Sequence, residues 1–522
     1  MSNFSRTQVI RKHVAKTNNG VVAAQHRVAA EVGAAVLEAG GDAVDAAVAT
    51  SFAIGVVEPW MSGPAGGGAM TLWREGEQAA RTIQFGMRSP AGLDPADYPL
   101  SGEGKASDLF PWPSVVEDRN VQGATAIAVP GTVAGMELAH ETYGILPWRD
   151  LLTPAVDLAR EGMLVDWYAS LLIASAAREL SKDRDAAALF LEDGQWPKIA
   201  GWTALSTTRL DQSRIADTLS RLAEAGPRDF YEGEIAQTLA NDVQAKGGSL
   251  SHEDLAAYRA QLTPTIDAPY RGGTVHAAEG LNAGPNLAEC LSVMEKAFVP
   301  GGAPNAESFA EMARALGRTY ERRLREMGDM EAPHAPSCTT HFSVVDKHGN
   351  MCAVTQTLLS IFGSRVVSPS TGLLMNNGIM WFDPEPGRPN SLAPDKACLM
   401  NVCPAIGEKG GRRFAIGASG GRKILPAVLN LTSFMMDFEM SLEDAFHHPR
   451  VDNSGGGTIV ADEDLSEDII AALKAVHPVV TAERSVFPYA FACPAGVMRE
   501  DGVNMGCTEI MSPWGDTVHQ KG

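Results

Sequence analysis

The chain has 522 residues and a mass of 55.3 kDa, enough to bury a large core. Its 63 Asp and Glu outweigh 43 Lys and Arg, giving a net charge of −20, so nucleic acid and anionic membrane surfaces are not expected partners. Seven cysteines, an odd number without a CxxC, fit reduced thiols in a cytoplasm better than a disulfide framework; Cys398 and Cys403 have four residues between them. Residues 1–19 lack the roughly 7–15-residue apolar core of a secretory signal, and no run approaches the ~18 apolar residues of a membrane span. A cytoplasmic location is the expectation.

In chain order, the pattern predicts Ala- and Val-rich helices over 29–38 and 43–54, separated by the Gly40-Gly41 break. Further helices are expected over 131–141, 150–160, 167–180, 209–225, 233–245 and 306–325. Residues 264–277 are mixed and contain strand. After Ala332 the texture changes: 341–346, 351–357 and 413–416 read as strands, with Lys347-His348-Gly349-Asn350 as a hairpin turn that absorbs Asn350. Helices return over 426–437 and 467–475. There is no internal repeat. Pro333-His334-Ala335-Pro336 reads as a loop. His341, His447 and His448 have no further ligand at a recognisable spacing, so no metal is expected. No cofactor is expected either: the chain lacks a GxSxG elbow and a Gly-x-x-x-x-Gly-Lys-Ser/Thr loop, and residues 63–68 are not a dinucleotide fingerprint.

The segment richest in chemistry is Cys338-Thr339-Thr340-His341-Phe342-Ser343-Val344-Val345-Asp346. Phe342, Val344, Ala353 and Val354 would face a core. In an intact chain Thr339 is an ordinary strand residue. A cut between Cys338 and Thr339 would place its hydroxyl beside a free α-amine, an activated nucleophile with its own base. Such an amine titrates near ~7.7–8.0 and can exchange a proton at neutral pH.

Further blocks accompany this segment. They are Gly40-Gly41-Asp42-Ala43-Val44-Asp45-Ala46-Ala47-Val48-Ala49, then Gly55-Val56-Val57-Glu58-Pro59, Ser62-Gly63 and Gly66-Gly67-Gly68. Val129-Pro130-Gly131-Thr132-Val133-Ala134-Gly135 and Gly417-Ala418-Ser419-Gly420-Gly421-Arg422 follow. With Thr339-Thr340-His341, in this order and spacing, they resemble the gamma-glutamyltransferase family of N-terminal nucleophile hydrolases from about residue 20 to the C-terminus. The resemblance implies an α+β fold, a four-layer αββα sandwich. It implies a precursor that cleaves itself between Cys338 and Thr339 into a large piece, 1–338, and a small piece, 339–522, which stay associated as one intertwined unit. A dimer of processed units is a mild expectation. Thr339 is then the nucleophile, Thr357 the threonine that hydrogen-bonds it and assists cleavage, and Gly420-Gly421 the oxyanion hole; the bare residues also fit a strand threonine and a glycine turn before a helix.

The departures from the family concern substrate. The arginine that grips a glutamyl α-carboxylate falls on Gly86, with Arg88 two residues on and so about 6–7 Å away in a strand. The acid for the α-amino group falls on Trp381, with Asp383 nearby; the family's Ser-Ser pair falls on Met400-Asn401, and an asparagine falls on Leu359. An α-ammonium buried without a carboxylate costs several kcal/mol. The segment 383–396 is shorter than the family's lid loop, which favours hydrolysis over transfer. These residues predict an amidohydrolase working through an acyl-enzyme on a small-molecule amide that is not γ-glutamyl, with a substrate carboxylate within reach of Arg88. The alternatives are an orthodox gamma-glutamyltransferase or glutathione hydrolase with Arg88 and Asp383 as displaced ligands, and an unprocessed, non-catalytic binding relative. A cut one residue earlier, with Cys338 as nucleophile, has no family support.

Overall fold

The computed structural model describes residues 10–105, 112–201, 203, 205, 207–327, 338–455 and 457–521. The Pro333–Pro336 loop lies outside these residues. Two antiparallel sheets occupy the middle of the molecule. One has seven strands in the order Gln261–Thr263, Ala79–Phe85, Gly67–Arg74, Met351–Leu359, Cys338–Val345, Val21–Ala24 and Asp516–His519. The other has six, in the order Thr265–Tyr270, Gly273–Ala278, Ala405–Lys409, Arg412–Ser419, Cys493–Glu500 and Val503–Thr508.

Strand alternation sorts the side chains into layers. On one face of the seven-stranded sheet, Val22, Met70, Leu72, Phe342, Val344 and Val354 are buried against the helices Arg27–Glu38, Ala43–Val57, Thr132–Tyr143 and Trp148–Glu161. Their neighbours Val21, Ala23, Trp73, Val345, Met351 and Ala353 turn the other way and meet Ile406, Ala415, Ala495 and Val497 of the second sheet. The far face of that sheet carries Val275, Phe414, Ile416 and Met498, covered by the helices Gly284–Ala297, Ala306–Met327 and Ile424–Met436. The result is the expected αββα sandwich. The helix Ala43–Val57 is buried along its whole length, which is why it has no polar face. Its start is fixed by a capping box between Asp42 and Asp45.

Both sheets draw strands from either side of residue 338. The strand Cys338–Val345 is flanked by Val21–Ala24 and Met351–Leu359, so the two stretches of chain form one interleaved body. The layer between the sheets holds mostly small and polar groups near this strand. His341 is fully buried there, with its ring nitrogens 2.8 Å from Thr355 Oγ1 and 2.9 Å from Ser343 Oγ. Burial lowers its pKa to about 3, so the ring is neutral. The ring packs on Gly417, where a Cβ would lie 2.4 Å from it. Gly417→Ala is expected to cost about 2 kcal/mol by overpacking, read as a lower urea midpoint at unchanged slope.

The predicted elements are recovered with shifted ends. The helix expected from 209 begins at Ser213, because Thr208–Leu210 pairs as a strand with Met163–Val165. The helix expected from 426 starts at Ile424. The mixed stretch 264–277 resolves into the hairpin Thr265–Tyr270 and Gly273–Ala278. Gly67–Arg74 and Ala79–Phe85 are strands and Gly284–Ala297 is a helix, three elements without a sequence-based expectation. Asn350 belongs to the hairpin turn, donating through Nδ2 to Asp346 Oδ2 at 2.7 Å.

Candidate active site

Thr339 stands where the ladder between its strand and Met351–Leu359 is irregular. Cys338 pairs with Leu359 and Thr340 with Gln356, so Thr357 and Leu358 together oppose Thr339. Such bulges re-aim a side chain. Here the Thr339 hydroxyl, 4 % exposed, donates to Thr357 Oγ1 at 3.3 Å. Thr357 Oγ1 also accepts from the Leu359 backbone N–H at 2.8 Å. Leu359 holds φ +85°, a left-handed conformation that costs a non-glycine residue roughly 1–2 kcal/mol. Strain and bulge thus meet beside the two threonines. Gly66 and Gly68 allow the neighbouring segment to press against this strand: a Cβ would lie 2.4 Å from Thr357 O and 2.1 Å from Thr355 O respectively.

Gly420 and Gly421 follow the strand Arg412–Ser419 and precede the helix Ile424–Met436. Their φ values are +136° and +55°. Both conformations favour glycine. Gly420 also packs on Ala492, 2.9 Å from where its Cβ would be. The glycine turn is there as expected, and it places backbone N–H groups ahead of a thirteen-residue helix N-terminus, a place suited to negative charge.

The five substrate-binding candidates separate. Arg88 and Met400 line a cleft of about 300 Å³ with Gly86, Tyr258, Arg259, Glu279 and Asn282. The Arg88 guanidinium is 39 % exposed and is clasped by Asp395, with Nη2 2.8 Å and Nε 3.2 Å from Oδ1. Met400 fills the space over Gly86: a Cβ there would lie 2.9 Å from Met400 Cε. Trp381 does not line the cleft but is buried in one apolar cluster with Met400, Leu359, Met87, Met380 and Cys398. Asp383 is fully buried; its Oδ1 accepts from Glu385 N at 2.9 Å and its Oδ2 lies 3.5 Å from Arg388. Burial lifts its carboxyl to about 6. Asn401 accepts through Oδ1 from Arg323 Nη2 at 3.2 Å. The short segment 383–396 is closed on itself, with Leu392 N donating to Asp383 O and Lys396 Nζ to Pro389 O and Ser391 O.

Residues 29–339 and 333–489 match the family model described as Gamma-glutamyltranspeptidase. The chain belongs to the gamma-glutamyltranspeptidase family. It is therefore an enzyme of amide-bond hydrolysis or acyl transfer. Among relatives of this family, the Acylase ACY 1 proenzyme of Pseudomonas sp. (strain V22) is 33% identical over 515 residues, covering 91% of this chain and 89% of that protein. The Glutathione hydrolase proenzyme of Escherichia coli (strain K12) is 30% identical over 490 residues, covering 84% and 81%. The crystal structure of cephalosporin acylase from Bacillus halodurans superposes with a TM-score of 0.83 at 24% identity, covering 100% of this chain and 99% of that one, a likeness of fold.

Three site neighbours carried no assigned role in the sequence reading. Tyr258 donates its hydroxyl to Gly86 O at 2.6 Å and floors the cleft. Arg323, near the end of the helix Ala306–Met327, is buried behind Met400 and Asn401. Glu58 lies beside Thr340. The last had a signal: a carboxylate between Val57 and Pro59, directly after the apolar run Phe52–Val57 that ends the helix.

Proposed function

We propose that the chain is a self-processing amidohydrolase with Thr339 as its nucleophile and an acyl group other than γ-glutamyl as its substrate. In the uncut chain Thr339 Oγ1 attacks the Cys338 carbonyl carbon, the bond from that carbon to Thr339 N breaks to free the α-amine, and an ester forms. Water hydrolyses the ester, freeing the Thr339 hydroxyl and leaving a carboxylate at Cys338. The freed amine then accepts the Thr339 hydroxyl proton as the oxygen attacks a substrate amide. Thr357 orients that oxygen, and the Gly420-Gly421 turn is the place for the developing oxyanion. The amine leaves with a proton, and water releases the acid. The hydroxyl contact between Thr339 and Thr357 at the bulge carries the nucleophile assignment.

The substrate reading rests on the apolar cluster of Leu359, Trp381 and Met400. Of the two displaced ligands of the orthodox reading, Asp383 is buried and does not line the cleft, with Oδ1 held by the Glu385 backbone and Oδ2 3.5 Å from Arg388, and Arg88 is paired with Asp395. The Arg88–Asp395 pair is exposed enough to be worth little, so a substrate carboxylate can compete for it. An acyl group bearing a distal carboxylate but no ammonium fits this cleft. The relatives named as acylases support the same direction. Glutaryl and γ-glutamyl anilides differ only in the α-ammonium. We expect kcat/KM for the glutaryl compound to exceed that for γ-glutamyl by on the order of 100-fold, the rate equivalent of a few kcal/mol. Equal or inverted values would return the enzyme to glutathione-type substrates. Cys290, Cys352, Cys398, Cys403, Cys493 and Cys507 are buried free thiols, which supports a reducing compartment as its workplace.

A further inference from the structure

A buried acid stands behind the nucleophile strand, outside the machinery described above. Glu58, 3 % exposed, caps the helix Ala43–Val57 and places Oε2 3.0 Å from Thr340 Oγ1. Among the described residues no cation lies within ion-pair distance of it. The same Thr340 oxygen lies 3.3 Å from Gln25 Oε1. The Gln25 amide is fixed in orientation, because its Nε2 donates to the Cys493 carbonyl at 2.6 Å and to Ser419 Oγ at 2.8 Å. Thr340 therefore faces two oxygens with one proton to give. Gln25 Oε1 has no proton, so the pairing is complete only if Glu58 carries one. The chain of donors then runs one way, from Glu58 to Thr340, to Gln25, and on to Ser419 and Cys493. Ser419 and Cys493 are paired across the second sheet, and the next residue after Ser419 is Gly420.

We propose that Glu58 is a positioning residue that acts as a neutral carboxylic acid, tying the nucleophile strand to the Ser419–Gly420 turn through Thr340 and Gln25. The inference rests on the assignment of Thr339 and Gly420 in the preceding section. Burial raises the Glu58 carboxyl to about 8, in keeping with a proton held at neutral pH. The titratable groups that sense its charge are the Tyr489 phenol and the Cys493 thiol, both raised by burial and neutral themselves. Ionisation would reverse the first link: Thr340 would donate to Glu58, and Gln25 would lose its donor.

The test uses the full chain, with glutaryl anilide turnover and the rate of self-cleavage as readouts. Both fragments must first be seen in the wild type; their absence sinks the nucleophile assignment itself, whatever Glu58 does. Glu58→Gln keeps a neutral donor and is expected to hold kcat within about threefold at pH 7, whereas Glu58→Leu and Thr340→Val lower kcat roughly 10- to 100-fold with KM unchanged. The double variant should lose no more than either single one, since they break one chain. The wild-type fall in kcat above pH 8 should be absent from Glu58→Gln. A protonated-carboxyl infrared band at pH 7 should vanish in the same variant. Wild-type kcat in Glu58→Leu, or an alkaline limb that persists in Glu58→Gln, would overturn the proposal.

Discussion

Thr339→Ala is expected to leave the chain in one piece of 55.3 kDa, while the wild type resolves under denaturing conditions into two. By residue count the pieces are ~36 and ~20 kDa, the smaller beginning with Thr339. The alanine variant loses both the attacking oxygen of self-cleavage and that of turnover. Amide hydrolysis should fall on the order of 10⁴-fold or more, the scale seen when a covalent nucleophile is removed. Thr339→Ser retains the oxygen and should still cleave, more slowly, because the methyl group that packs the side chain is gone. Thr357→Val removes the hydroxyl 3.3 Å from the nucleophile and should slow cleavage without abolishing it. Intact-mass spectrometry decides all three. A wild-type chain that stays whole on incubation would make Thr339 an ordinary strand residue and bring the binding-protein reading forward.

Arg323 carries the second large effect. Its guanidinium is 4 % exposed, and burial lowers its pKa to about 10, so it remains a cation at neutral pH. It is surrounded by neutral acceptors: Asn282 O at 3.0 Å, Met400 O at 2.8 Å, Asn401 Oδ1 at 3.2 Å and Asn286 Oδ1. Three separate stretches of chain are joined by one side chain, and two of them carry cleft residues. Arg323→Met leaves these oxygens buried without their donor. We expect a loss of about 3 kcal/mol, between the cost of one charged hydrogen bond and that of a broken buried pair. Arg323→Lys should recover only part, since an ammonium cannot span both asparagine positions. The measurement is urea unfolding in the Thr339→Ala background, where the chain is uncut and a single transition is defined. An unchanged midpoint would show that the asparagine side chains reorganise at no cost.

The strand positions around Thr339 were legible because alternation is a local property. Phe342, Val344 and Val354 face the helical layer, and Ala353 faces the second sheet, as a period of two requires. The strand Gly67–Arg74 was not, because it opens on glycines and is buried on both faces, and Ala79–Phe85 alternates only in part. Of the substrate residues that the motif alignment pointed to, Arg88 and Met400 line the cleft, whereas Trp381, Asp383 and Asn401 do not. Asn401, for one, is held by Arg323, 78 positions earlier in the chain.

By itself the sequence determined the strand Cys338–Val345, the glycine turn and the blocks that mark the family. Each of these is written in residues adjacent in the chain, where sterics and hydrogen bonding act over a few bonds. Only the tertiary structure decided that Thr357 meets Thr339 across a bulge, that Asp395 occupies Arg88, and that Glu58, Thr340, Gln25 and Ser419 form one chain of donors. Glu58 and Thr340 are 282 positions apart, and Gln25 and Ser419 are 394 apart. Contacts at that separation arise from how two sheets and their helices pack, and packing depends on the shape of the whole core rather than on any local run of residues.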